Sequence, residues 1–100
     1  MSIAQTILQQ LGGRRFVTMT GAKDLLGNEN SLLFRLPERF ALNGINKVRV
    51  TLDCMDTYTI TFLKCNFRKH EFQIVAEHTG IYFDQLQTLF TEVTGLDTSL

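Results

Sequence analysis

No apolar run in this chain approaches the length of a membrane-spanning helix. The first twenty residues also lack the apolar core of a secretory signal, and Arg14 and Arg15 stand where one would continue. Both absences point to a cytoplasmic protein with no membrane partner. Charge of one sign is missing too. Ten Lys and Arg balance ten Asp and Glu, so nothing draws the whole molecule toward nucleic acid or a lipid surface. Soft metal ligands are few. Cys65, His70 and His78 form no CxxC or HxxxH pair, whereas zinc takes four ligands at characteristic spacings, so no metal site is expected. Catalytic signatures are lacking as well. Gly12-Gly13 ends a helical segment rather than opening one, so it is no phosphate loop, and no GxSxG occurs. Asp53 and Asp56 flank a turn, where Asp commonly bonds its own backbone. No residue is nominated for catalysis, and the expectation is a protein that is not an enzyme and needs no cofactor.

What is present is a parity rule running from Lys47 to Glu77. Val48, Val50 and Leu52 alternate with Lys47, Arg49, Thr51 and Asp53. Tyr58, Ile60 and Phe62 alternate with Thr57, Thr59 and Thr61, and Phe72, Ile74 and Ala76 with Glu71, Gln73, Val75 and Glu77. Strand side chains change face with period two, so these are three half-buried strands with one apolar and one polar face. Pairing Leu52 with Tyr58 places Val50 on Ile60 and Val48 on Phe62. The second hairpin is expected to pair Phe62 with Phe72 and Ile60 with Ile74, with Asn66-Phe67-Arg68 at its tip. Cys54 then sits at one end of a hairpin and Cys65 at the other, on the order of 30 Å apart at 3.3 Å per residue. A disulfide needs Cα atoms within about 7 Å, so two free thiols are expected, in keeping with a reducing compartment.

Elsewhere, Ile3, Ile7, Leu8 and Leu11 form a helical stripe between a Ser2/Gln5 capping spacing and Gly12-Gly13, predicting a helix over 3–11. The β-branched and aromatic segment Arg15 to Thr20 predicts a strand. Residues 21–30 predict a loop with one helical turn. Leu32, Phe34 and Leu36 alternate in a further strand that Pro37 ends, and Pro37 starts a helical turn through Ala41 closed by Asn43-Gly44. Thr79-Gly80 is expected to break the sheet. Tyr82, Leu86, Leu89, Phe90 and Val93 predict a helix that Gly95 caps, with residues 97–100 as a loose tail. The expected fold is α+β: one domain over 1–100, an antiparallel sheet of about five strands, with N- and C-terminal helices packed on its apolar face.

The polar face carries threonines with Lys47 and Arg49. Threonine suits a solvated strand face, and the expected register leaves no aromatic there for base stacking. Arg68-Lys69-His70 at the hairpin tip, with Arg14-Arg15 and Arg35, offers phosphate contacts, though exposed charge also guards strand edges. The halves differ in charge. Residues 1–50 hold seven basic and three acidic residues (+4), and residues 51–100 hold three and seven (−4). Arg35, Lys47, Arg49, Arg68 and Lys69 are the candidate binding residues. A sheet edge offers a route to a homo-oligomer.

Two stretches, Ser31 to Phe62 and Ile81 to Leu100, stand out, within a wider pattern over about four-fifths of the chain: T-G-A-K (Thr20 to Lys23), L-P (Leu36-Pro37), N-G-I-N (Asn43 to Asn46), D-x-Y (Asp56, Tyr58) and T-G-L-x-T-S-L (Thr94 to Leu100). In this the chain resembles a family of small uncharacterised proteins encoded by phages and prophages; the N-terminal helix lies outside the pattern. The resemblance implies a mobile element in a bacterial host cell, and no activity. The leading expectation is a non-enzymatic accessory protein acting by protein–protein binding, directed at a host defence or regulatory protein. The alternative is a nucleic-acid-binding accessory protein using the basic sheet face and hairpin tip.

Overall fold

Apolar alternation needs a second layer to cover it, and the helices at both ends of the chain supply that layer. The computed structural model describes residues 3–37, 44–53, 56–66 and 68–96. Helix α1 (Ile3–Leu11) and helix α2 (Arg14–Thr20) precede strands β1 (Lys23–Gly27), β2 (Ser31–Arg35), β3 (Lys47–Leu52), β4 (Tyr58–Asn66) and β5 (Glu71–Ile81). A 3-10 turn over Phe83–Gln85 leads into helix α3 (Leu86–Thr94). The strands form one antiparallel sheet in the order β1-β2-β3-β4-β5, each beside its successor in sequence. This is the expected α+β architecture. No helix among the described residues is long and apolar enough to cross a membrane.

Helix α1 has the predicted bounds, with Ala4, Ile7 and Leu11 buried. The segment Arg15 to Thr20, expected as a strand, is instead α2. Strand propensity is a weak prior, and a helix places Phe16 and Thr20 one turn apart, both buried. The Thr20 hydroxyl donates to the Phe16 carbonyl at 2.7 Å, and Gly21 ends the helix with a left-handed φ of 72°. A side chain there would meet Pro37, since a Cβ would come within 2.8 Å of its Cγ. Helix α3 ends the same way: Thr94 bonds the Phe90 carbonyl at 2.7 Å and Gly95 has a φ of 74°. The 21–30 segment, expected as a loop, contributes β1. The Asn28 N–H bonds the Ser31 carbonyl at 2.9 Å and turns β1 onto β2, with a bulge between Lys23 and Leu26. That strand, rather than Arg15 to Thr20, makes the count five.

β3 and β4 pair in the predicted register, Leu52 on Tyr58, Val50 on Ile60 and Val48 on Phe62. These side chains are buried, Leu52 only partly. The second hairpin departs from expectation. Phe62 lies opposite Ala76 and Ile60 opposite His78, while Leu63 lies opposite Ile74 and Cys65 opposite Phe72. Val75 is the extra residue between these two runs. One inserted residue reverses which face the strand's side chains occupy. Phe72 and Ile74, expected in the core, therefore point away from it. Gln73 pairs with Lys64 and Glu71 with Asn66, so neither lies beside Thr61 or Leu63 as expected. Thr79-Gly80 does not end β5, which runs to Ile81 through a second irregularity at Gly80, φ 66°. Tyr82, expected on the stripe of α3, is exposed. Cys65 is a free thiol. Cys54, the Glu38 to Asn43 segment and the 97–100 tail lie outside the described residues.

The core centres on four rings. Phe16 of α2 meets Phe34 of β2 and Phe90 of α3, each at a centroid distance of 5.2 Å and in edge contact. Phe90 also approaches Phe34 at 6.3 Å and Phe62 of β4 at 6.4 Å. Tyr58 ties the sheet to α1 by donating to Gln10 Oε1. Burial raises the pKa of that phenol; the Gln10 bond opposes the rise and the Asp56 charge adds to it. At the start of β3 the Asn46 side chain acts as one more strand residue. Its Nδ2 donates to the Cys65 carbonyl at 2.9 Å and its Oδ1 accepts from the Cys65 N–H at 2.8 Å.

Two substitutions test these joints. Phe90→Ala removes a ring that is 1% exposed and is expected to cost about 3–5 kcal/mol; a loss below about 1 kcal/mol in a denaturant melt would make α3 peripheral. Asn46→Ala leaves both backbone groups of Cys65 without their partner, and its expected cost is about 1–3 kcal/mol by the same melt.

Candidate binding face

The register decides which side chains share the face turned away from the helices. Leu33, Arg49, Thr61 and Glu77 make one row across β2, β3, β4 and β5. Arg35, Lys47, Leu63 and Ile74 make the next, and Cys65 with Phe72 lies beyond it. Adjacent strands are about 4.8 Å apart, so neighbours within a row touch. Leu63, Ile74 and Phe72 thus form a continuous apolar cluster. Phe72 is 69% and Ile74 51% exposed, and it is their adjacency on one face, rather than the exposure of either alone, that marks the patch.

The face is not uniformly solvated. Thr61 is buried between Arg49 and Glu77 in its row, and its hydroxyl donates to Glu77 Oε2 at 3.0 Å. Thr51 and Thr59 are half-buried, and the Thr59 hydroxyl donates to Asp53 Oδ2 at 2.7 Å. Arg49 stands exposed on β3, with half-buried Lys47 two residues away on the same face. Arg35 pairs with Asp24, Nη1 to Oδ2 at 3.1 Å. Such a surface pair adds little stability, but it engages the guanidinium. These three predicted site residues therefore do share a face.

Arg68 and Lys69 lie at the β4–β5 tip. The Asn66 side-chain oxygen accepts from their backbone N–H groups, at 3.1 and 3.3 Å, and fixes the turn. The tip stands three residues past Leu63, about 10 Å along the strand. The apolar cluster is therefore flanked by Lys47 and Arg49 on one side and by the tip cations on another. Arg14 and Arg15 do not join them, because α2 packs on the opposite side of the sheet and they line a pocket there with Thr18 and Met19. His78 turns to the inner face, edge-on to Phe62 at 6.4 Å. Among the described residues no three of His, Cys, Asp and Glu come together as a metal site would require.

Sequence reasoning missed Phe72 and Ile74. The signal for them was the break in alternation at Ile74-Val75-Ala76, three apolar residues in succession, which marks where a strand changes face. No protein-family model, curated protein or solved structure matches this chain.

Proposed function

We propose that this chain is a non-enzymatic accessory protein that acts by protein–protein contact through the outer face of β4 and β5. The observation that carries the reading is the apolar cluster of Leu63, Phe72 and Ile74 within a rim of Lys47, Arg49, Arg68 and Lys69. Protein interfaces have this anatomy: an apolar centre containing an aromatic anchor, surrounded by polar and charged groups. The basic rim favours a partner with acidic residues around an apolar contact. The mobile-element context implied by the resemblance makes a host defence or regulatory protein the class of partner to seek.

Ile74→Glu and Arg49→Glu test this. Both positions are exposed, so each change is expected to move stability by about half a kcal/mol. Cross-linked capture from a bacterial lysate, compared by mass spectrometry, should lose the same protein with either variant and keep it with Gln5→Glu on α1. A partner retained by both variants would place the contact elsewhere.

Exposed Phe72 on a basic face also favours a second reading, the binding of single-stranded nucleic acid. Aromatic platforms flanked by cations stack bases at about 1–3 kcal/mol each. A fluorescent oligo-dT followed by anisotropy distinguishes the two. Nucleic-acid binding requires an affinity that falls steeply with salt and a loss of about that magnitude in Phe72→Ala. Absence of binding at low salt removes this reading.

A further inference from the structure

We propose that two copies of this chain pair antiparallel along β5, with Glu71 of each opposite His78 of the other, to make one continuous sheet. The inference concerns the edge of β5 rather than its outer face, and it stands or falls independently of the function proposed above. Among the described residues β5 is the last strand of the sheet, and one whole side of its backbone has no strand neighbour there. It is eleven residues long, and the four residues nearest the tip, Glu71 to Ile74, are all exposed. Proteins usually guard such an edge with Lys, Pro or short strands. From Glu71 to Ile81 there is no Lys, Arg or Pro. The other edge is different, because β1 has only five residues and packs closely on α1: a Cβ on Gly27 would come within 2.7 Å of Ala4.

The bulge at Val75 determines how β5 can meet itself. Facing residues of an antiparallel pair share a face. Phe72 faces outward with Cys65, and Glu77 faces outward with Thr61; Ala76 and His78 face inward with Phe62 and Ile60. The run 71–74 therefore matches the run 76–78 only in registers that join an even residue to an odd one. One such register uses the residues on both sides of the bulge fully. It sets Glu71 against His78, Phe72 against Glu77 and Gln73 against Ala76, and repeats each pairing across the two-fold axis. Ile74 of each copy then lies opposite Val75 of the other, astride the axis. The Glu71 carboxylate gains an imidazole partner at each end.

Charge along the strand supports the same arrangement. The tip end carries Arg68 and Lys69 ahead of Glu71, and the far end carries Glu77 and, on the following 3-10 turn, Asp84. Antiparallel pairing lays the basic end of one copy against the acidic end of the other, a self-complementary pattern for an isologous contact.

Sedimentation velocity over a range of concentrations should show a species of twice the monomer mass, weakened by salt and by Glu71→Lys. Disulfide trapping fixes the register. With Cys54 and Cys65 replaced by Ser, the pair Gln73→Cys and Ala76→Cys should give a covalent dimer on oxidation. The pair Gln73→Cys and Glu77→Cys, one step out of register, should not. A monomer at every concentration overturns the proposal. So does a dimer trapped by the second pair and not the first, or by neither.

Discussion

Four phenylalanines hold the two layers of this molecule in place. Phe16 and Phe90 come from helices on either side of the sheet in sequence, and Phe34 and Phe62 from strands that are not neighbours. Edge contacts between rings add to the burial of large apolar area, so the cluster is sensitive to the direction in which each ring is presented. Its geometry depends on where α2 and α3 stop. Each stops one turn after its ring, at a Thr that caps back onto the Phe carbonyl and a Gly that turns the chain. The following residues, Ala22 and Leu96, are buried, and each N–H bonds the preceding Thr hydroxyl. Thr20-Gly21-Ala22 and Thr94-Gly95-Leu96 are thus one local solution used twice, and they account physically for the T-G-A and T-G-L stretches of the sequence.

A third motif also has a structural explanation. Asn46, the last residue of Asn-Gly-Ile-Asn, extends β3 by using its amide in place of a backbone unit. The carbonyl of Asn46 accepts from the Leu36 N–H at 2.9 Å, so the same residue anchors the chain leaving β2. A short side chain with one donor and one acceptor is required, which limits the position to very few residue types.

The class of fold, α1, α3 and the β3–β4 register were legible in the sequence because long periodic segments carry redundant information. Val48, Val50, Ile60 and Phe62 each repeat the same message about which side is buried. What was not legible depends on single residues. α2 is only seven residues long, and the composition of Arg14 to Thr20 favours a strand; burial of Phe16 against Phe34 and Phe90 overrides that preference. β1 has no buried strand residue at all, so no periodicity could announce it. On the candidate face, Lys47 and Arg49 were readable from alternation alone. Phe72 and Ile74 were not, because one bulged residue upstream of Ala76 reassigns them.

That single insertion divides β5 into two stretches under different constraints. Beyond Val75 the strand carries Ala76 and His78 against the core, and changes there disturb packing. Before it, Glu71 to Ile74 contribute nothing to the interior. The shorter stretch is held in position by β4 yet is chemically unconstrained by folding. It can therefore vary in sequence as a surface loop varies while keeping the rigidity of a sheet, so a substitution there need not cost the molecule its stability.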